Sequence, residues 1–445
     1  MRAQEVVERT LAAASGLDGC VVLVRESSEA VLRWANSTMT TNGFSTSARV
    51  TVVALVAAGV DAGGGTAAGT VSSSAAITDA TQLVELVRAA EVAAHGAGPA
   101  EDAMPLVEPA GSVDSGDPTW DEPGAATTIG VFEKLAGGLS DAFTGPHRHY
   151  GFATHELMTV WLGTSTGIRR RWVQPTGSVE LNVKTADLSS SAWTGASTPD
   201  FADVDVAALA ADAARRLDWG ARKVELPAGR YETILPPTAV ADLMVYLAWS
   251  MGGRSAQEGQ SALAGPNGPR TGERLTSLPL SLTSDPAAPG LEYEPFLTVG
   301  LSGEGVSVFD NGMPTRRVDW ISDGTIGELQ YSRAEAARFG TTVTPGGENL
   351  TLSGGSGATL EEMVAGTERG LLLTCLWYIR TVDPTTLLLT GLTRDGVYLV
   401  ENGEVVAEVD HNFRFNYSPL DVLRRATEVG ATRRTLPREW KDWFT

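Results

Sequence analysis

The spacing of apolar residues changes from helical to alternating and back within the first 95 residues. Residues 4–15 place their apolar side chains on one helical face, and residues 80–94 do the same. Three strand candidates, separated by turn-forming residues, lie between these helices at 20–25, 30–35 and 49–57. The order of helix, strands and helix predicts an N-terminal α/β domain over 1–95, in which an open sheet carries two helices on one face.

The chain between residues 96 and 228 changes in character at about residue 128. Residues 96–127 are rich in Gly, Pro, Ala, Asp and Ser, which favours a linker or an excursion over a packed core. Beyond them, alternating runs with glycine-containing turns between them lie at 152–162, 168–174 and 179–184. We therefore predict a strand-rich middle region over 128–228 that completes the N-terminal half with an antiparallel meander.

The predicted C-terminal domain, residues 229–445, contains one unusually apolar helix. Residues 237–251 have helical spacing and are almost wholly apolar, and a helix that is apolar on all sides is buried. Most of the remaining sequence alternates as strands do, so we predict an antiparallel, barrel-like sheet wrapped around this helix and an α+β fold overall. Trp249 would then be a core residue, and we expect Trp249→Ala to cost about 3–5 kcal/mol of stability.

Composition disfavours several classes of protein. The 445 residues carry a net charge of −20, whereas nucleic-acid binding needs a cationic surface to contact phosphates. The sequence contains no apolar run close to the ~20 residues that span a bilayer. The charged N-terminus has no apolar signal core, so we expect a cytoplasmic location. Two cysteines, Cys20 and Cys375, are too few for a disulfide framework and are interpreted as small buried residues.

The five histidines leave a long gap, because none occurs between His155 and His411. A zinc peptidase of the common helical type needs two histidines one turn apart on a helix, and a glutamate as general base. His155 and Glu156 supply the first part of such a motif. Thr159 and Val160 stand where its second histidine belongs, so the spacing excludes this motif here.

A relocated metal site is the alternative that the histidines leave open. His147 and His149 would share one face of a strand and could bind a metal together with His155 and Glu156. A turn at Gly145 favours a loop instead, and loop histidines are more often solvent-exposed than ligating. We therefore predict no metal ligand and no catalytic residue in this chain, and keep these four side chains as the alternative site.

Several segments resemble the TldD/PmbA family, once called modulators of DNA gyrase. In the C-terminal half they are 370–374 (GLLLT), 377–384 (WYIRTVDP), 387–396 (LLLTGLTRDG) and 401–403 (ENG). Upstream they are 41–43 (TNG), 312–317 (GMPTRR) and 331–338 (YSRAEAAR). The segments occur in order over most of the chain, and the resemblance is weakest in 96–127.

This resemblance implies an N-terminal α/β domain, a C-terminal domain of antiparallel sheet around helices, and one of two kinds of subunit. The TldD-like kind carries His-Glu-x-x-x-His on a buried helix and a C-terminal cysteine, and binds zinc. The TldE-like (PmbA) kind lacks these ligands and pairs with the first kind as a heterodimeric protease. Here the corresponding helix places Met244 and Trp249 at the two histidine positions, and 239–251 contains no His, Cys or Glu. Cys375 therefore has no pair of histidines with which it could form such a zinc site.

The leading hypothesis is therefore a non-catalytic TldE/PmbA-like subunit of a cytoplasmic, heterodimeric zinc metalloprotease. The resemblance implies that a TldD-like partner holds the zinc, and that substrates are unfolded or peptide chains, including peptide natural-product precursors. This chain would bind no cofactor, no nucleic acid and no membrane. The alternative is a stand-alone, homodimeric peptide-binding or scaffold protein without protease activity. A weaker third possibility is an independent hydrolase that uses the relocated metal site.

Overall fold

The computed structural model describes residues 1–59, 64–109, 117–393, 395–409, 414–441, 443 and 445. The helices are α1 (Ala3–Ala13), α2 (Ala80–Ala97), α3 (Glu133–Ala142), α4 (Val206–Trp219), α5 (Pro237–Trp249), α6 (Gly253–Gln257), α7 (Arg333–Phe339), α8 (Leu360–Ala365) and α9 (Pro419–Arg425). The strands of the N-terminal half are β1 (Gly19–Ala35), β2 (Thr38–Ala57), β3 (Thr66–Ser73), β4 (Arg148–Thr164), β5 (Arg169–Lys184) and β6 (Ser191–Ser197). The later strands are β7 (Lys223–Val224), β8 (Thr233–Ile234), β9 (Ala264–Gly265), β10 (Gly268–Pro269), β11 (Ser281–Ser284), β12 (Val318–Ser322), β13 (Thr325–Ile326), β14 (Thr351–Ser353), β15 (Arg369–Leu373), β16 (Trp377–Asp383), β17 (Leu388–Leu392), β18 (Val397–Glu401), β19 (Glu404–Val409) and β20 (Arg414–Tyr417).

Six strands form an antiparallel sheet in the order β3-β2-β1-β4-β5-β6. The central strand β1 pairs along most of its length with β2 on one side and with β4 on the other. The strands predicted at 20–25 and 30–35 are therefore one strand, because the polar residues between them stay in register with both neighbours. The runs predicted at 168–174 and 179–184 likewise form the single strand β5.

Both faces of this sheet are buried around residues 19–24 of β1. Val22 packs against α1 and α2, which cover one face. Its neighbours Val21 and Leu23 point to the opposite face and pack against Phe296 and Val299 of the C-terminal half. Farther along the first face, α3 and α4 cover the sheet in place of α1 and α2. The sheet is thus a wall shared between a helical layer and the C-terminal half.

The C-terminal half encloses α5 between three small sheets. Their strand orders are β13-β12-β11-β14, β7-β19-β18-β15-β8 and β16-β17-β20. Leu243 and Leu247 of α5 belong to one buried cluster that also contains Leu282, Leu371 and Leu389, one residue from each sheet. The predicted α+β class and the buried helix are confirmed. Closure into a barrel-like sheet and the boundaries of the predicted domains stay predictions.

Trp249 is the exception to the burial of α5. Its side chain is 47% exposed at the last residue of the helix, whereas Leu247, two residues earlier, is fully buried. The ring makes edge-to-face contacts with Tyr246, Trp440 and Trp443, at centroid distances of 5.3, 4.5 and 6.4 Å. The expectation that Trp249 is a core residue is wrong.

The C-terminal segment 428–441 joins the two halves. Arg434 forms an ion pair with Asp203, which precedes α4, and Lys441 forms one with Glu180 of β5. The other side of this segment contacts α5 and borders a large cleft beside that helix. Across the described residues, no helix is both long and apolar enough to cross a membrane.

We predict that Leu247→Ala destabilises the protein more than Trp249→Ala. Leu247 is fully buried, so its truncation leaves a cavity and should cost about 2–5 kcal/mol. Trp249 is 47% exposed, so its truncation opens toward solvent, leaves no enclosed cavity and should cost less. Chemical denaturation of both variants measures the difference. Equal losses would contradict the position of Trp249 at the end of the core.

Candidate functional site

A cleft of about 1860 Å³ opens beside the N-terminal part of α5. This volume exceeds the roughly 300–1,000 Å³ of common small-molecule sites and suits an extended chain. Val240, Leu243 and Met244 of α5 form an apolar part of its lining. Charged side chains of both signs, such as Arg414 and Glu361, also line it. The cleft therefore has an apolar floor, and neither sign of charge dominates among its charged lining residues.

Three sheet edges border the cleft. The strands β8, β14 and β20 each end the strand order of their sheet among the described strands, and residues of all three line the cleft. An edge strand carries main-chain donors and acceptors that its own sheet does not use. On β14 the carbonyl of Leu352 already accepts a hydrogen bond from the hydroxyl of Thr432, at 2.9 Å.

The main chain of Thr233 in β8 faces away from its sheet. The carbonyl of Glu232, the preceding residue, accepts a hydrogen bond from the N–H of Leu371 in β15 at 2.8 Å. Successive residues of a strand direct their main-chain groups to alternate sides, so the N–H and C=O of Thr233 point away from β15. Because Thr233 is exposed and lines the cleft, it offers one donor and one acceptor to an added strand.

The two positions proposed to replace zinc ligands do not face a common point. Met244 is buried and lines the cleft. Trp249 lines a separate, smaller cavity at the other end of the helix. A thioether is a soft, weak ligand for zinc, and the Trp ring N–H can only donate. The residues at these positions therefore do not fit a zinc ion.

Cys375, the other residue compared with a family ligand, is engaged in a different contact. It lies between β15 and β16, not within a strand, and its Sγ contacts Nη1 of Arg438. Burial raises the pKa of the Cys375 thiol to about 12, against the opposing effect of the Arg438 charge. The thiol is thus protonated near neutral pH, whereas zinc binds the thiolate. Within the described residues, no three His, Cys, Asp or Glu side chains converge on a metal-sized site.

Arg438 is a buried cation that the sequence did not reveal. Its guanidinium lies 5.0 Å from the ring centroids of both Trp193 and Trp377, and 3.4 Å from a carboxylate oxygen of Asp395. Trp193 belongs to β6 and Trp377 to β16, so the cation joins the two halves of the molecule. The stacking and the ion pair offset part of the cost of burying the charge.

Asp242 is the acidic residue within α5, and it is fully buried. Its two carboxyl oxygens accept hydrogen bonds from the main-chain N–H groups of Arg438 and Glu439, at 3.2 and 3.0 Å. Burial raises the pKa of Asp242 to about 8, and these hydrogen bonds only partly oppose the shift. Its signal in the sequence is a single carboxyl group inside an otherwise apolar helix. Asp242 ties α5 to the C-terminal segment.

The four residues of the alternative metal site do not come together. His149 and His155 lie on one face of β4 but are six residues apart, about 20 Å along a strand. Glu156 points to the opposite face and accepts a hydrogen bond from the Ser27 hydroxyl at 2.5 Å. His147 is only partly buried and lies just before β4.

Both ring nitrogens of His155 already have protein partners. Nε2 lies 2.8 Å from the carbonyl oxygen of Pro199, which can only accept, so Nε2 carries the proton. Nδ1 lies 2.6 Å from the Thr127 hydroxyl. Burial lowers the pKa of His155, which favours the neutral ring and makes Thr127 the donor. His155 acts here as a buried structural residue. His411, at the far end of the histidine gap, lies outside the described residues.

Two family models match the sequence. The model described as the PmbA/TldA metallopeptidase central domain matches residues 121–220, and the one described as the PmbA/TldA metallopeptidase C-terminal domain matches residues 228–441. Together they account for well over half of the chain. No curated protein matches the sequence.

Solved structures share the fold over almost the whole chain. TldE from Thermococcus kodakarensis superposes with a TM-score of 0.77 at 18% identity, covering 97% of this chain and 95% of that one. A protein described as a modulator of a DNA gyrase from Thermotoga maritima gives 0.74 at 17%, covering 96% and 95%. A protein described in the same way from Bacteroides thetaiotaomicron gives 0.75 at 15%, covering 96% and 93%. Identities this low demonstrate the shared fold.

We predict that Asp242→Asn changes how stability depends on pH. The folded-state pKa of about 8 lies above the ordinary value near 3.9, so this carboxyl group favours folding at low pH. Its contribution is lost as pH rises from about 4 to 8 and then levels off. Relative to the wild type, Asp242→Asn should gain up to about 1.4 kcal/mol per pH unit in this window.

Chemical denaturation at pH 5, 6, 7 and 8 measures this relative gain. Asp218→Asn, an exposed position on α4, is the matched control and should follow the wild type at every pH. A constant difference between Asp242→Asn and the wild type across the series would contradict a neutral Asp242 in the folded protein.

Proposed function

This chain belongs to the TldD/PmbA family, and on that premise we propose that it is the non-catalytic, TldE-like subunit of a heterodimeric zinc metalloprotease. A TldD-like partner supplies the zinc, the general base and the cleavage chemistry. The observation that carries the proposal is the cleft beside α5, where a free sheet edge lies next to an apolar floor and the described residues assemble no zinc-ligand set.

The residues at the family's zinc positions support a non-catalytic role. Met244 is enclosed in the apolar core of α5, and Trp249 belongs to an aromatic group at the helix end. Cys375 is a protonated thiol held against Arg438. Each of these side chains has a packing role that a metal ligand could not also fill. The catalytic zinc is therefore assigned to the partner.

The cleft supports a peptide or an unfolded chain as the substrate. A peptide that pairs with β8 would accept a hydrogen bond from the Thr233 N–H and donate one to its C=O, which is strand addition. Main-chain pairing is tolerant of side-chain sequence, and the apolar floor at Leu243 and Met244 provides additional burial. In this proposal the chain holds an extended substrate while the partner cleaves it.

The proposed setting is the cytoplasm, with unfolded chains or peptide natural-product precursors as substrates. Support for this part comes from the family to which the chain belongs. The net charge of −20 also favours a protein or peptide ligand over nucleic acid.

We predict that Thr233→Pro lowers peptide cleavage by the assembled enzyme by about fivefold, because it removes one main-chain donor worth about 1 kcal/mol. The assay mixes this chain with the TldD-like protein of the same organism and follows cleavage of an unstructured peptide. The chain alone should release no product and should hold well below one equivalent of zinc.

Thr233→Val is the matched control, since it keeps the N–H and the β-branched shape and should retain the wild-type rate. Melting curves of both variants show whether β8 is still formed. Stoichiometric zinc and cleavage by the isolated chain would overturn the proposal. Peptide binding without any activity on mixing would favour the stand-alone, homodimeric peptide-binding protein instead.

A further inference from the structure

A second cavity, of about 430 Å³, lies beside the last turn of α5. Three tryptophans line it: Trp249, Trp320 and Trp443. Glu294 and Glu348 are its acidic lining residues, and no basic side chain of the described residues lines it. The cavity shares no lining residue with the cleft at Met244, so the two are separate sites.

Two polar atoms in the wall of this cavity lack a partner. Oε1 of Glu294 and the hydroxyl oxygen of Tyr293 are buried and make no hydrogen bond with the described residues. The other carboxyl oxygen of Glu294 accepts a hydrogen bond from the Thr298 hydroxyl at 2.9 Å. Buried polar groups are nearly always paired, so this wall is incomplete without a hydrogen-bond donor.

The two carboxyl groups of the cavity lie in surroundings that disfavour their charged form. Arg25 is the nearby cation; it lowers the pKa of both carboxyl groups and donates a hydrogen bond to the Thr298 hydroxyl at 2.9 Å. One guanidinium thus faces two carboxyl groups. Burial has a larger effect than Arg25 and acts in the opposite direction. It raises the pKa of Glu294 to about 8 and also raises the pKa of Glu348. A cation bound between these two groups would oppose this effect of burial and favour their ionised form.

The lining favours an organic cation over a metal ion. Two carboxyl groups without a third His, Cys, Asp or Glu within the described residues are a poor ligand set for a divalent cation. Aromatic and aliphatic side chains make up most of the remaining wall, and tryptophan faces attract organic cations. An ammonium group has three N–H donors, which match Glu294, Glu348 and the Tyr293 hydroxyl.

We propose that this cavity binds a primary alkylammonium group, with Glu294 and Glu348 as counter-charges and Trp249, Trp320 and Trp443 as its aromatic walls. Glu348 is the more exposed of the two carboxyl groups that line the cavity. Trp249 then has a binding role at a position where the catalytic subunit of the family carries a zinc ligand. The ammonium could belong to a lysine side chain or to a peptide amino terminus; this assignment to a peptide rests on the proposed function.

Calorimetric titration of the full chain with n-butylammonium chloride tests the site without any partner subunit. Neutral n-butanol is the matched probe of equal length, and MgCl₂ is the inorganic probe. We expect n-butylammonium to bind at least tenfold more tightly than n-butanol. Glu294→Gln should weaken n-butylammonium binding at least tenfold, and Glu348→Gln is a second variant should the first not fold.

Glu292→Gln, at an exposed neighbouring position, is the control variant and should bind as the wild type does. Equal binding of n-butanol and n-butylammonium, or unchanged binding by both cavity variants, would reduce the cavity to an apolar void and overturn the proposal. Displacement of n-butylammonium by MgCl₂ at lower concentration would overturn it in favour of an inorganic cation site.

Two blocked peptides distinguish the sources of the ammonium. N-acetyl-lysine methylamide presents only the side-chain ammonium, and alanyl-alanine amide presents only the amino terminus. Binding of one and not the other identifies the source. Binding of neither, while n-butylammonium binds, would overturn the assignment to a peptide. Because none of these titrations measures cleavage, their outcome is independent of whether the chain assembles with a TldD-like subunit.

Discussion

The burial of α5 is the constraint on which the rest of the structure depends. Three sheets close around this helix, so nearly every side chain along it must be apolar or neutralised. Asp242 meets this condition as a carboxyl group whose pKa is raised by burial and which accepts main-chain hydrogen bonds. The same enclosure makes Met244 part of the cleft floor. A helix packed in this way forms the floor of the cleft.

The two ends of α5 serve different spaces. The N-terminal part faces a cleft bordered by sheet edges that carry main-chain donors and acceptors. The C-terminal end faces a smaller cavity lined by tryptophans and two carboxyl groups. The C-terminal segment holds these spaces in place, because Arg438 lies between Trp193 of one half and Trp377 of the other. A single buried cation thereby links the N-terminal sheet to β16 of the C-terminal half.

The elements that the sequence predicted well are those with a strong local pattern. The apolar spacing of 237–251 was enough to predict a buried helix, and the alternation in 152–184 predicted the antiparallel meander. The exposure of Trp249 escaped prediction because it depends on how completely distant residues such as Trp440 and Trp443 cover its ring. The strand β8, with two residues, is too short to have a periodicity. Contacts such as that of Arg438 with Cys375 join residues 63 positions apart and leave no local signal.

The central claim is that this chain is one half of a two-part enzyme, and the composition of its native complex tests that most directly. The measurement is native mass spectrometry of whatever co-purifies with the tagged chain from its own cells. The account predicts a complex of one copy of this chain, one TldD-like subunit and one zinc ion that leaves with the partner on dissociation. A zinc-free complex that contains only copies of this chain would contradict it.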